Sequence, residues 1–244
     1  MFDANKAVDH IVKWIQDWFE VNGKGCNAVI GISGGKDSTI TAALCIKALG
    51  KDRVWGLIMP NKYNDDYLMG LKVCRYFSIE YDTMDISKSY ESIIEELEGT
   101  GSNVSNQTMI NLPARLRMCT LYAYSQSMDG RVANTCNLSE DYVGYATKYG
   151  DGAGDFSPLS QYTVTEVRAI GKALGLPDEF VYRVPNDGLC GKTDEDNLGF
   201  TYDVLDKYIR TGECDDPAVK EKIDRLHETN KFKLEPMQYC PYVG

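Results

Sequence analysis

Residues 27–38 read Asn27-Ala28-Val29-Ile30-Gly31-Ile32-Ser33-Gly34-Gly35-Lys36-Asp37-Ser38. Asn27 to Ile32 is a short apolar run of the kind that forms a buried strand, and Gly34-Gly35 breaks it. From Ser38 to Leu49 the spacing is helical, and Gly50 ends it. Working outward, Val54 to Met59 is a second buried strand closed by Pro60, 65–77 is helical, and Ile79 to Ile86 is a third strand. Upstream, Val8, Ile11, Val12, Ile15, Trp18 and Phe19 form one helical face, stopped by Gly23 and Gly25. Downstream, 90–97 is helical with an acidic face and 99–107 is a Gly/Ser/Asn loop. Asn111 to Met128 reads as a long helix with Leu112, Leu116, Cys119 and Ala123 on one side. Arg131 to Cys136 is a fourth strand, Ser139 is a candidate helix cap, and 147–158 is a polar, glycine-rich loop. Helices at 163–174, 202–209 and 217–228 follow, with a second long loop at 185–197. Strand–helix alternation of this kind predicts an α/β fold, an open parallel sheet with helices on both faces. Such sheets bind ligands at the carboxyl ends of their strands, here the loops 33–37, 99–107 and 137–157.

The 33–38 loop has a chemistry of its own. Backbone N–H groups at a helix N-terminus attract anions, and two glycines let a phosphate approach without Cβ clashes. Ser33 and Ser38 add hydroxyl donors, but Asp37 would repel a phosphate unless a cation lay between them, which implies Mg²⁺. The loop is not a GxxxxGK[ST] phosphate loop: Lys36 is followed by Asp37, and residue 30 is isoleucine. The plain alternative is a strand-to-helix turn that uses its glycines for geometry alone.

Composition narrows the partners. The 244 residues carry 26 Lys plus Arg against 36 Asp plus Glu, a net charge of −10, and no two basic residues are adjacent. That argues against nucleic acid as a partner, although a local basic cleft remains compatible with it. The eight cysteines include no CxxC pair and there are only two histidines, so a zinc or dithiol centre is not expected. No long apolar stretch and no leader pattern are present, which predicts a reduced, cytoplasmic protein away from membranes.

Ser33-Gly34-Gly35-Lys36-Asp37-Ser38 resembles the pyrophosphate loop of the N-type ATP pyrophosphatases, which adenylate a substrate by cleaving ATP between its α and β phosphates. Three further strings resemble the ammonia-dependent NAD⁺ synthetases within that superfamily. These are Asn111-Leu-Pro-Ala-Arg115-Leu-Arg117-Met118, Thr135-Cys-Asn137-Leu-Ser139-Glu140, and Lys148-Tyr149-Gly150-Asp151-Gly152-Ala153-Gly154-Asp155. The resemblance implies an adenine-nucleotide alpha-hydrolase-like (Rossmann-like) fold over a single domain, 1–244, with mobile loops near 99–107 and 185–197. It implies ATP contacts at Ser33, Gly34, Gly35, Lys36, Asp37, Ser38, Met59 and Thr135, and Mg²⁺ on Asp37 and Glu140. It implies contacts to deamido-NAD⁺ from Asn111, Arg115, Lys148, Asp151 and Asp155. The implied reaction is ATP-dependent amidation of deamido-NAD⁺ with ammonia through an acyl-adenylate, giving NAD⁺, AMP and pyrophosphate, in a homodimer. Asp37, Asp151 and Lys192 are the implied catalytic residues, with Asp151 taking a proton from ammonium. From the length, the amidase domain of glutamine-dependent relatives is not expected.

There are departures. Val164 stands where the family usually has an ATP-contacting Lys, and the loop 185–195 is shorter than its usual form. Lys192 is expected to reach the phosphates when that loop closes; the alternative is a solvated lysine. Two other functions are compatible with these motifs. One is a different N-type ATP pyrophosphatase, such as a tRNA-modifying enzyme, and the other is a nucleotide-binding sensor without turnover.

Overall fold

The apolar runs pair side by side as parallel strands. The computed structural model describes residues 2–183 and 193–243. Four strands, β1 (Asn27–Gly31), β2 (Val54–Ile58), β3 (Glu80–Thr83) and β4 (Gly130–Ala133), form one sheet in the order β3-β2-β1-β4. Every pairing is parallel, with Ala28 opposite Val54 and Val29 opposite Val132. Alternation along β1 sends Ala28 and Ile30 to one face and Val29 to the other. On the first face lie α1 (Ala4–Asn22), α2 (Lys36–Leu49), α3 (Asp65–Phe77), α7 (Val164–Ala173) and the short α8 (Asp178–Val181), around Ile15, Phe19, Ile40, Leu44, Val73, Ile170 and Phe180. On the second face, α5 (Asn106–Ser127) lays Met118 and Leu121 on Val29, Leu57 and Val132. With both faces covered, the strands need no polar side, which is why β1 and β2 read as nearly continuous apolar runs.

A third apolar cluster closes one end. Val143, Val164, Leu198, Phe200, Tyr202, Leu205 and Ile223 join α6 (Leu138–Tyr142), α9 (Asp194–Leu198), α10 (Tyr202–Thr211) and α11 (Pro217–Asn230) to the start of α7. The buried Asp206 pins this assembly. Its carboxylate accepts from Ser139 Oγ at 2.5 Å, and from the Thr165 amide and hydroxyl at 2.7 and 2.5 Å. The Val164 amide in turn donates to Ser139 Oγ at 2.9 Å. Asp206→Ala leaves these donors without an acceptor, and hydrogen bonds to a charged group contribute about 1.5–3 kcal/mol each. We expect a loss of roughly 3 kcal/mol or more, seen in a thermal melt as a fall of about 10 °C.

Some expected boundaries shift. β3 ends at Thr83 because Asp85 accepts from the Ser87 amide at 2.7 Å and turns the chain into α4 (Ser87–Gly99). β4 stops at Ala133 because the Asn134 side chain takes over, bonding the backbone of 136, 151 and 153. Ser105 caps α5, so residues 106–107 belong to that helix and only 100–105 lie between α4 and α5. Its buried residues are Met118, Leu121 and Ser125, while Cys119 faces out, contrary to the expected stripe. Asn137, not Ser139, is the N-cap of α6, accepting from the Glu140 amide at 3.1 Å. Cys45 and Cys74 are core residues, and the seven described cysteines are all free thiols. Trp18 packs on Phe156 at 4.9 Å between ring centroids, whereas Trp14 is 37% exposed. Among the described residues no helix is long and apolar enough to cross a membrane.

Candidate active site

β1 sends the chain to β2 on one side, while β4 lies on its other side, so the crevice between the carboxyl ends of β1 and β4 is a topological switch point. The 33–38 turn fills the β1 side. Gly34 has φ +78°, and a Cβ there would lie 2.9 Å from the Gly70 nitrogen, so only glycine fits. Ser33 Oγ lies 3.1 Å from Ser38 Oγ and accepts from the Gly35 amide at 3.2 Å. Two hydroxyls and the free amides of the first turn of α2 therefore share one locality, where a phosphate is favoured.

The 134–140 segment fills the β4 side. The Asn137 amide nitrogen donates to Asp37 Oδ1 at 3.1 Å, tying the two strand ends together. Lys36 does not project into solvent; its side chain is 4% exposed. Its ammonium sits 2.7 Å from Asp37 Oδ2 and 3.5 Å from Glu140 Oε1. Burial opposes the Lys36 charge, but Asp37 and Glu140 outweigh burial and hold the ammonium protonated. Two carboxylates then share one ammonium. Burial and the Asp37 charge push the Glu140 carboxyl well above the usual carboxylate range, against the pull of Lys36. A divalent cation suits this donor set, because it would neutralise the surplus charge. Among the described residues no three His, Cys, Asp or Glu side chains group closely enough to hold a metal alone. Magnesium fits that limit, since it commonly takes one or two carboxylates and completes its shell with phosphate oxygens and water.

A pH dependence follows for the metal-free protein. A carboxyl whose folded pKa is raised binds a proton more tightly in the folded state. Its stabilising contribution is complete below its unfolded pKa and is lost as pH rises through the folded pKa. The melting temperature of wild type should therefore fall more steeply above pH 5 than that of Glu140→Gln. Magnesium should restore wild type most at the alkaline end. Scanning fluorimetry at several pH values with and without Mg²⁺ reads both effects.

The second group of expected residues assembles beside the first. Asn111 on α5 accepts from Thr147 Oγ1 at 3.1 Å, and Arg115 Nε donates to the Lys148 carbonyl at 3.2 Å. Asp151 Oδ1 accepts from the Thr147 amide at 3.0 Å, and its own carbonyl accepts from Asn134 at 2.8 Å. The surrounding protein pushes the Asp151 carboxyl up, with the Thr147 amide and Lys233 pulling it partly back. The Lys148 ammonium donates to the Phe232 carbonyl at 2.5 Å. Asp155 is exposed and tied to the edge of β4: Oδ2 accepts from the Val132 amide at 2.7 Å and Oδ1 from Tyr122 at 3.3 Å. Met59 is buried at the end of β2, and its carbonyl accepts from Arg117 Nε at 2.9 Å. Of the two arginines on α5, Arg117 is thus the inward one and Arg115 the exposed one. Thr135 is half-buried at the β4 end. Lys192 and most of the 185–197 loop lie outside the described residues.

Several participants carry no local sequence signal. Asn134 and Asn137 organise the β4 end through their side-chain amides. Arg183 bridges the Gly34 carbonyl at 3.2 Å to Asp66 at 2.6 Å. Val164 has no exposed surface and belongs to the third apolar cluster, so the position that carries a lysine in the resembled family is a core position here.

Comparison with known proteins follows the same lines. The NAD synthase family model matches residues 7–237. The NH(3)-dependent NAD(+) synthetase of Thermococcus kodakarensis is 39% identical over 208 residues, 85% of this chain and 80% of that protein. That of Finegoldia magna is 37% identical over 243 residues, covering 96% and 98%. Among solved structures, the NMN synthetase of Francisella tularensis superposes with a TM-score of 0.89 at 32% identity, covering 99% of this chain and 100% of that one. The NH3-dependent NAD synthetase of Campylobacter jejuni, in complex with nitrate, gives 0.78 at 29% identity, covering 98% and 100%.

Proposed function

Because the chain belongs to the NAD synthase family, we propose that it is an ammonia-dependent NAD⁺ synthetase working as a single domain over 1–244. It adenylates deamido-NAD⁺ with ATP and amidates the product. The observation that carries this reading is the pairing of Asp37 and Glu140, from two strand ends, around Lys36 at a phosphate loop. No protein nucleophile is needed. A nicotinate carboxylate oxygen attacks the α-phosphorus, the bond to the bridging oxygen breaks, and pyrophosphate leaves. Ammonia then attacks the acyl carbon, AMP leaves, and the surplus proton passes to an acceptor, a role we propose for Asp151.

The residues contribute alignment and charge. Ser33, Ser38 and the amides of 34–38 receive the phosphates, while Lys36 holds Asp37 and Glu140 in position. Met59 and Thr135 flank the nucleoside part of ATP. Asn111 and Arg115 brace the 147–151 loop, so that Lys148 and Asp151 face the second substrate. Asp155 ties the end of that loop to β4. Mg²⁺, when bound to Asp37 and Glu140, supplies charge neutralisation for the departing pyrophosphate. We assign the active form as a homodimer, with α5 at the interface, where Met109 and Ile110 are 39% and 53% exposed.

A second reading has its own support. The NMN synthetase fits with a higher TM-score, 0.89, than the Campylobacter jejuni NAD synthetase at 0.78. The acid substrate would then be the mononucleotide, with the same adenylation and amidation. Purified protein with ATP, Mg²⁺ and ammonium, given either nicotinate mononucleotide or deamido-NAD⁺, separates the two. Preferential pyrophosphate release and amide formation with deamido-NAD⁺ supports the first reading, and preference for the mononucleotide supports the second. ATP binding with neither product refutes both.

A further inference from the structure

One charged group near the loop has no partner among the described residues. Arg168 Nε is buried and makes no hydrogen bond, and no carboxylate among the described residues pairs with the guanidinium. Its position follows from how two helices pack. Gly171 on α7 leans on Ile40 of α2 so closely that a Cβ there would lie 2.9 Å from Ile40 Cδ1. Both helices start at the crevice: α2 opens from the 33–38 loop, and α7 opens where the Val164 amide meets Ser139, beside Glu140. One turn back from the Gly171–Ile40 contact, α7 presents Arg168 and α2 presents Lys36. Arg168 accordingly repels the Lys36 charge.

A buried guanidinium nitrogen without an acceptor is costly unless a ligand supplies one. A like charge beside Lys36 adds to that cost. Both costs are relieved by a polyanion in the crevice, and a guanidinium fork matches phosphate oxygens. Val164 lies one turn earlier on the same helix and is sealed in the apolar core, so α7 offers no cation there.

We propose that Arg168 is a pyrophosphate-binding residue, contacting the β and γ phosphates of ATP and the pyrophosphate they become. This rests on the adenylation reading above. The contact is made from the α7 side of the crevice.

The test uses the whole chain, inorganic pyrophosphate and Mg²⁺. By titration calorimetry, Arg168→Gln should bind pyrophosphate at least about tenfold more weakly than wild type. Its KM for ATP should rise while the KM for the acid substrate stays within about twofold, and Arg168→Lys should recover part of the loss. A purely structural role would lower the melting temperature without this split. Arg168→Gln that binds pyrophosphate within about twofold of wild type overturns the proposal. If Arg168→Gln does not fold, ¹⁵N-arginine NMR of wild type decides, with the Nε–H signal assigned by its absence in Arg168→Lys. That signal moves on adding Mg²⁺ and pyrophosphate if the contact is made, and a stationary signal overturns it. Wild type that binds pyrophosphate through Arg168 but forms no amide would refute the synthetase reading alone.

Discussion

Asp37→Asn is expected to lose pyrophosphate release by a factor on the order of 10³ or more while remaining folded. Two contributions combine in that figure. Removing one electrostatic contact to a developing oxyanion costs about 10²–10³ in rate. Asp37 is also one of the two carboxylates in the donor set around Lys36, so weaker binding of the cation adds to the loss. Stability behaves differently. In wild type two carboxylates crowd one buried ammonium, and Asp37 is a leading reason the Glu140 carboxyl is pushed up. Asparagine relieves that crowding, and Glu140, 3.5 Å from the Lys36 nitrogen, becomes its ion-pair partner. The Asn137 contact at 3.1 Å survives, because an asparagine carbonyl accepts as the carboxylate did. Pyrophosphate release at saturating Mg²⁺, measured beside a thermal melt, checks both halves. A variant that keeps more than a tenth of the wild-type rate would remove Asp37 from the metal site. A variant that unfolds would show that Lys36 needs Asp37 as its structural counter-ion.

The same cluster shows where sequence reading stops. The strand–turn–helix at 27–49 was legible because apolar runs, paired glycines and helical spacing are local signals, and the parallel sheet follows from their repetition. The sequence also shows Asp37 and Glu140 as candidates, each at the end of an apolar strand. It does not show that Lys36 lies between them. That depends on β4 pairing with β1, a contact between segments about a hundred residues apart. Lys36 therefore reads as a pocket cation in sequence and proves to be a buried counter-ion. Asp206 and Arg168 are invisible for a related reason: each sits at an unremarkable helical position and acquires its role only from the packing of α7. The buried face of α5 differs from the stripe its spacing predicts because its first turns brace the 147–151 loop, so the stripe that meets the sheet starts only near Met118. Ser139 looks like a cap because serine often is one, but Asn137 reaches the amide first and frees Ser139 for Asp206.

Substitution at Asp151 is expected to separate the two chemical steps. Its Oδ1 accepts from the Thr147 amide at 3.0 Å, while its backbone carbonyl takes Asn134 and the Cys136 thiol. Asparagine keeps an acceptor for Thr147 and leaves the backbone contacts alone, so the loop that carries Lys148 should hold its shape. What asparagine cannot do is take a proton. The surroundings raise the Asp151 carboxyl, which moves it toward the range where a general base works best near neutral pH. Asp141, whose own carboxyl burial and Asp151 push up to about 6, adds negative charge that favours an ammonium ion here. Asp151→Asn should accordingly leave pyrophosphate release within about threefold while slowing amide formation by roughly 10²–10⁴, the span typical of a lost general base. Raising the pH should narrow the gap, because neutral ammonia becomes abundant and hydroxide in the solvent can take the proton released on attack. Burst-phase pyrophosphate release with amide quantified in the same reaction, from neutral to alkaline pH, measures both steps. Equal loss of the two, or a deficit that stays constant with pH, would mean that Asp151 holds the substrate loop and does not accept the proton.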